Sequence, residues 1–435
     1  MMQRADVLVI GAGPAGIAAA TAAAKNGRAT VVLDDNPTPG GQIWRGAAST
    51  PGKGNTAKLK AIQSLQACGA RVLLGRRVVD APKPGILHAV VESASGAETE
   101  GYAWDRLIIA TGARERFLPF PGWTLPGVFG AGGLQALVKG GYAIAGKRVV
   151  VAGSGPMLLA VAANLQNHGA TIIAIAEQAP FTSLLRFASS LWSSPAKLFE
   201  AVRYNAMLRR SRYSTGCWPV AVEGDASLQA VRLTNGRRTW AEPCDLLACG
   251  FNLVPNTELA ALIGCSFQGA FVQVDKDQQT SLANVYCAGE PVAIAGLDAA
   301  LVQGEIAGLV AAGQPEKART LYARRDKQLA FARSLDSAFK LRNELRSLAA
   351  PDTIVCRCED VPYAQLQARS SWTAAKLATR CGMGPCQGRV CGPAVNTLFG
   401  WSVTSVRPPI FPAPVAVFNM EDDIISSESN SQEFS

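Results

Sequence analysis

The stretch Asp6-Val7-Leu8-Val9-Ile10-Gly11-Ala12-Gly13-Pro14-Ala15-Gly16 decides the fold. Asp6 to Ile10 read as a buried strand, the glycines as a turn, and the alanine-rich run from Ala15 to Asn26 as a helix. Gly27 ends that helix and Ala29 to Leu33 read as the next strand, which completes a βαβ unit. Gly11 permits the tight turn, Gly13 lets the backbone approach a pyrophosphate, and Gly16 lets helix and strand pack closely. With Ala12, Pro14 and Ala15 between them, they set a helix N-terminus, with its free N–H groups and partial positive charge, against phosphates. Asp34 ends the second strand 18 residues after Gly16, where a carboxylate can accept hydrogen bonds from ribose hydroxyls.

A second unit of the same kind begins at Arg148. Val149 to Ala152 read as a strand, Met157 to Asn167 as a helix and Ala170 to Ala176 as a strand. Its turn, Gly153-Ser154-Gly155-Pro156-Met157-Leu158, has Leu158 where the third glycine would stand. Glu177 ends the next strand and suits a 2'-hydroxyl, favouring NAD over NADP. Gly153, Gly155 and Glu177 are therefore candidates for NAD or ATP, with a nucleotide-free scaffold as the other reading.

The remaining chain divides by pattern. Residues 181–212 read as helical, with apolar positions at Leu184, Leu185, Leu191, Leu198 and Val202; 217–250 read as short strands, and 299–312 as a helix. The expected organisation is a discontinuous nucleotide domain over 1–118 and 272–315 and a second, NAD(P)-type domain over 119–271. A charged helical linker over 316–350, a cysteine-rich module over 351–412 and a disordered, acidic, serine-rich tail over 413–435 follow.

The chain has 435 residues, 48% of them apolar, and a net charge of +9, which describes a globular protein of several domains. The positive residues gather at Arg203–Arg212 and Lys317–Arg346, either as solvated helix faces or as a docking face for an acidic partner. No basic stretch is interleaved with aromatics as nucleic-acid modules require. Two histidines, His88 and His168, supply histidine chemistry poorly. The first strand begins without a cationic leader before it, and no apolar run reaches membrane-spanning length. The expected compartment is the cytoplasm, with peripheral membrane attachment through a partner compatible with it.

Eleven cysteines in such a chain argue for reduced thiols or metal ligands. Five of them fall within 36 residues: Cys356 and Cys358 in Val-Cys-Arg-Cys-Glu-Asp-Val, then Cys381, Cys386 and Cys391 in Thr-Arg-Cys-Gly-Met-Gly-Pro-Cys-Gln-Gly-Arg-Val-Cys-Gly-Pro. Four thiolates hold a 2Fe-2S cluster. Structural zinc, the alternative, usually takes Cys-x₂₋₄-Cys pairs, and Cys-x-Cys matches it poorly. The expected ligands are Cys356, Cys358, Cys386 and Cys391, with Cys381 as the spare or a substitute ligand. Arg357, Lys376, Arg380 and Arg389 are placed to offset the cluster's charge. No Cys-x-x-Cys redox dithiol occurs, and the isolated Cys217, Cys244, Cys249, Cys265 and Cys287 read as small core residues.

Two further strand endings, Leu107-Ile108-Ile109-Ala110-Thr111-Gly112 and Val285-Tyr286-Cys287-Ala288-Gly289-Glu290, join the N-terminal fingerprint in order. Together they resemble the three FAD segments of the two-dinucleotide-domain flavoproteins, the glutathione-reductase-like α/β fold. Thr111, Gly112, Gly289 and Glu290 thereby join the expected FAD site. The cysteine module resembles the bacterioferritin-associated-ferredoxin-like 2Fe-2S domain. Fused behind such a flavoprotein, with Pro39-Gly40-Gly41-Gln42-Ile43-Trp44-Arg45 and Arg407-Pro408-Pro409, it resembles the FAD-dependent electron-transfer (alpha-type) subunits of bacterial amine and imino-acid dehydrogenases. That group includes opine oxidases, hydrogen cyanide synthases and D-hydroxyproline dehydrogenases. Gly41 and Gln42 enter the FAD site on this resemblance, and Glu290 fits the subfamily where the wider family has Asp.

The resemblance implies an FAD and 2Fe-2S subunit, a smaller FAD-containing subunit that oxidises the C–N bond of an amino or imino acid, a small ferredoxin-like subunit, and a quinone or carrier as acceptor. An FMN between subunits is known in the family, and no motif marks it here. The substrate ranking is D-hydroxyproline or a related imino acid first and an opine second. The alternative activity is a self-contained NADH-dependent flavoprotein reductase working through Glu177. No acid, base or nucleophile is assigned to the chain itself.

Overall fold

Val7, Leu8 and Val9 are fully buried because their strand is covered on both faces, as parallel sheets between helices require. The computed structural model describes residues 2–45, 56–93, 96–190, 195–402, 406–415 and 417. The chain divides into two units, 1–112 with 256–325 and 406–435, and 113–255 with 326–405.

The first unit is built on a seven-stranded sheet ordered Arg71–Leu74, Thr30–Asp34, Met2–Ile10, Gly96–Ile109, Ile86–Ser93, Arg76–Asp80, with Val285–Cys287 also on Gly96–Ile109. The strands around Met2–Ile10 are parallel, and Val285–Cys287 runs parallel to the end of Gly96–Ile109. The two hairpin strands on the other side are antiparallel. Helix Pro14–Lys25 packs on this sheet and against helix Leu297–Ala311. Small residues make that helix pair close: a Cβ on Gly304 would lie 2.0 Å from the Ala15 carbonyl oxygen, and one on Gly308 would lie 2.2 Å from that of Ala19.

The second unit carries a five-stranded parallel sheet ordered Arg212–Thr215, Thr171–Glu177, Arg148–Ser154, Leu246–Phe251, Val128–Gly130. Helix Met157–Asn167 follows its first fingerprint strand. A three-stranded antiparallel sheet, Trp218–Glu223, Ala230–Thr234 and Thr239–Pro243, shares its core. The cysteine-rich segment adds a hairpin of Ile354–Cys356 with Val361–Pro362 and the helices Tyr363–Gln367, Trp372–Thr379 and Cys391–Phe399 around Trp372, Leu366 and Val395.

The unit boundaries differ from those read in the sequence. They fall at 112/113 and 255/256 rather than 118/119 and 271/272, and the cysteine module groups with the second unit instead of standing alone. Trp123 explains part of this, since its Nε1 donates to the Ile354 carbonyl at 2.6 Å and joins module and sheet domain. The stretch 316–350 is more than a linker. Ala318 belongs to the core of the first unit, and Phe339, Leu345 and Leu348 to that of the second. Residues from 406 return to the first unit: Ile410 N–H donates to the Val79 carbonyl at 2.8 Å, and Val417 is buried against Val79 and Val90. Order therefore extends past 412, and 416 and 418–435 of the expected disordered tail lie outside the described residues.

The helical stretch after 180 resolves into Phe181–Ser190 and Pro195–Met207. Leu184 packs with Ala338 and Phe339, but Leu185 is 55% and Val202 58% exposed, so the apolar positions do not form one buried stripe. Two helices in place of one give each its own facing. Leu191 and the side chain of Leu198 lie outside the described residues. Among the described residues, no helix is long and apolar enough to cross a membrane.

The helix contact generates a stability prediction. Gly304→Ala forces a methyl against the Ala15 backbone and should cost on the order of 3 kcal/mol. Urea denaturation followed by circular dichroism measures it; an unchanged midpoint would contradict the packing described.

Candidate functional site

In the first unit, the predicted nucleotide residues surround the carboxyl ends of four strands. Ala110 N–H donates to the Ile10 carbonyl at 2.9 Å and Ala288 N–H to that of Ile109 at 3.0 Å, so these strand ends stand side by side. Gly11 has φ +104°, and a Cβ there would lie 2.4 Å from the Ala110 carbonyl oxygen. A Cβ on Gly16 would lie 1.7 Å from the Gly11 carbonyl oxygen. Gly13 caps helix Pro14–Lys25, with Ala15 buried just inside it. The Gly40 N–H donates to the Ala12 carbonyl at 2.8 Å, which brings Gly41 to within a Cβ's reach of Gly13 and leaves Gln42 exposed beside it.

Asp34 is buried at the end of its strand. One carboxylate oxygen accepts from Ala12 N–H at 2.5 Å; the other accepts from the Asn36 backbone at 2.8 Å and from Asn36 Nδ2 at 2.7 Å. Thr111 donates its hydroxyl to the Asn256 carbonyl at 2.6 Å, and the Asn256 amide donates back to the Thr111 carbonyl at 2.9 Å. Gly112 faces Glu290, whose Oε2 is 3.9 Å from where a Gly112 Cβ would stand. Gly289 N–H donates to Gln303 Oε1 at 2.8 Å, while Gln303 Nε2 is buried with no protein partner. Asn36, Asn256 and Gln303 were not legible as site residues.

The second unit repeats the carboxylate device. Glu177, fully buried, accepts from Gly155 N–H and from Ala179 N–H, each at 2.8 Å. Burial pushes its carboxyl up to about 7, against the pull of those two hydrogen bonds. A Cβ on Gly153 would lie 1.8 Å from the Gly250 carbonyl oxygen, and Leu158 fills the place of the third glycine as a buried core residue. Gly153, Gly155 and Glu177 thus lie together in space. Across them runs another segment of the same unit. The Phe339 carbonyl accepts from Ser154 Oγ at 3.1 Å and from Asn252 Nδ2 at 3.2 Å. Gln178 donates to the Lys340 carbonyl at 3.2 Å and accepts from Arg342 N–H at 3.2 Å. The Phe339 ring packs on Ala179 and Phe187, and the Arg342 guanidinium lies 4.3 Å over the Trp218 ring. Ser154 and Asn252 mark the ends of Arg148–Ser154 and Leu246–Phe251, the adjacent strands where the sheet order reverses and open α/β sheets take ligands.

The third feature is sulfur. Cys356, Cys358, Cys386 and Cys391 line one cavity of about 200 Å³ with Trp123, Arg357 and Val390. Cys356 and Cys391 are buried, Cys386 is half-buried and Cys358 is exposed. Peptide N–H groups of Gly382 and Glu359 point at the Cys356 sulfur, those of Val390 and Gly388 at Cys386, and that of Cys386 at Cys358. The sulfurs of Cys356, Cys381 and Cys391 lie within 4.8 Å of one another. Neighbouring Cys381 and Cys391 sulfurs pull the Cys356 thiol far below its usual value, to about 2, and Cys391 pulls Cys386 down to about 5. A Cβ on Gly384 would lie 2.3 Å from Cys358 Cβ, which accounts for a glycine two residues before Cys386. Of the expected charge-offsetting residues, Arg357 stacks over Trp123 and Arg380 is paired with Glu359 at 2.8 Å; Arg389 Nη1 donates to the Cys386 carbonyl at 3.5 Å. Trp123 belongs to this site without any sequence signal linking it to the cysteines. Cys217, Cys244, Cys249, Cys265 and Cys287 are buried core residues.

Residues 5–314 match the pyridine nucleotide-disulphide oxidoreductase family, and the chain belongs to it. The opine oxidase A-subunit of Agrobacterium tumefaciens (strain Ach5) is 30% identical over 96% of this chain and 89% of its own length. Hydrogen cyanide synthase subunit HcnB of Pseudomonas aeruginosa is 30% identical over 88% of this chain and 90% of its own length. L-proline dehydrogenase of P. horikoshii shares the fold with a TM-score of 0.67 at 18% identity, over 96% of this chain and 79% of that one.

Glu177 makes a pH prediction. Its carboxyl is raised in the folded chain, so its contribution to stability is fully present below the ordinary carboxylate value and lost as pH rises to about 7. Between pH 4.5 and pH 8 the wild type should lose on the order of 3 kcal/mol relative to Glu177→Gln, whose side chain does not titrate. Denaturation midpoints of both proteins across that range measure the difference; parallel pH profiles would contradict it.

Proposed function

We propose that this chain is the FAD- and 2Fe-2S-carrying electron-transfer subunit of a heteromeric dehydrogenase or oxidase that oxidises the C–N bond of an amino or imino acid. The observation that carries the reading is one chain holding both a dinucleotide cradle and a cavity lined by four cysteines with peptide N–H groups aimed at their sulfurs. The names of the relatives add the subunit character and the amine chemistry.

The glycine loop and the start of helix Pro14–Lys25 would hold the FAD pyrophosphate, and Asp34 would meet the adenosine ribose. The unpartnered Gln303 Nε2 is a donor on the wall beside Gly289 and fits a polar ligand there. Cys356 and Cys391 would hold the buried end of a 2Fe-2S cluster, with Cys358 and Cys386 at the open end. When bound, FAD and cluster supply two-electron and one-electron chemistry. The chain's residues would bind, orient and screen them: Trp123 and Val390 line the cavity, and the peptide N–H groups would stabilise thiolate charge. C–N oxidation is assigned to a smaller flavin-bearing subunit. The further partners are a small ferredoxin-like subunit, plus a quinone or carrier. D-hydroxyproline or a related imino acid is the first substrate and an opine the second.

The segment Phe339–Arg342 across the second crevice argues against NAD or ATP there, and so against a self-contained NADH reductase. The test is an anaerobic absorption and EPR spectrum of the purified chain before and after dithionite, with iron and sulfide assays. Flavin bands, an S = 1/2 signal on reduction and about two irons per chain are expected. NADH should leave the flavin oxidised, and D-hydroxyproline and octopine should not be turned over without the partner subunit. Zinc in place of iron, or rapid bleaching by NADH, would sink the reading.

A further inference from the structure

A 2Fe-2S cluster takes four thiolates, and five sulfurs are gathered here. The fifth, Cys381, has no exposed surface and does not line the cavity; it stands behind the cavity wall against Cys356 and Cys391. Its place is over-determined. It follows helix Trp372–Thr379 through Arg380 in the left-handed region at φ +63°, and its own N–H donates to Thr379 Oγ1 at 3.3 Å. The next residue, Gly382, lies so close under the Trp372 ring that a Cβ would come within 2.6 Å of it. The sequence left Cys381 as either the spare or a substitute ligand.

We propose, resting on the cluster reading above, that Cys381 is a positioning residue: a thiol that donates its single S–H to the ligand sulfur of Cys356 and thereby raises the cluster's reduction potential. Cys381 is buried and off the cavity lining, so the four lining cysteines take the metal and the Cys381 S–H is left to donate. The acceptor, the Cys356 sulfur, carries negative charge once it ligates iron. Reduction adds one more negative charge, so a donor aimed at that sulfur favours the reduced form more than the oxidised one.

The experiment compares the full-length wild type with Cys381→Ala and Cys381→Ser by iron and sulfide content and by an EPR-monitored redox titration. Both variants should keep about two irons per chain. Cys381→Ala should shift the one-electron reduction equilibrium on the order of tenfold toward the oxidised cluster, about 59 mV more negative. Cys381→Ser, which keeps an O–H donor, should recover most of that shift. Iron loss in both Cys381 variants, with Cys358→Ser keeping its iron, would make Cys381 a ligand and overturn the proposal; an unchanged potential in Cys381→Ala would overturn it equally. A wild type without iron and sulfide would defeat the cluster reading itself, and this inference with it, before any variant is made.

Discussion

Backbone-to-backbone approach around helix Pro14–Lys25 is the constraint on which the first unit depends. On its inner side, Gly16 touches the carbonyl of Gly11; on its outer side, Gly304 and Gly308 touch the carbonyls of Ala15 and Ala19. A side chain at any of these positions would lift the helix from the sheet or from its neighbour. Only with the helix so low does its N-terminus face the ends of the Met2–Ile10, Gly96–Ile109 and Val285–Cys287 strands, where the candidate flavin residues converge. Asp34 then ties the glycine loop to the second strand by its hydrogen bond with Ala12 N–H.

The second unit keeps the carboxylate tie, with Glu177 on Gly155 and Ala179, and departs from the first at two places. Leu158 replaces the third glycine and is absorbed into the core, so its helix rests on a side chain rather than on backbone. The strand ends that would meet a nucleotide are hydrogen-bonded to the backbone of Phe339–Arg342. The glycine pattern therefore marks the fold of this unit, while the backbone that lies across its strand ends is invisible to that pattern.

The βαβ units, the three strand endings and the cysteine grouping were legible because each rests on residue types that backbone geometry demands: glycine at positive φ, an acid at a strand end, thiols at close spacing. What was missed has no such demand. The Phe339 and Lys340 contacts use main-chain carbonyls, which any residue supplies. Trp123 reaches Ile354 across 231 residues of sequence, beyond any local pattern. Gln303 looks like one more position on an apolar helix until its amide is seen against Gly289. Leu185 and Val202 carry the periodicity of a buried face and are exposed, since periodicity records which residues align and not whether anything covers them.

The sulfur cavity has unequal ends, with Cys356 and Cys391 closed off and Cys358 open to solvent beside Cys386. Oxygen, peroxide and chelators all arrive from outside, so they meet Cys358 first. In a chain without metal, the exposed Cys358 and its half-buried neighbour Cys386, whose thiol is held low, are the pair an oxidant reaches, and a disulfide between them would leave two fewer thiolates to bind metal. Air exposure during isolation would then select between chains able to take up metal and chains that have locked themselves out of it.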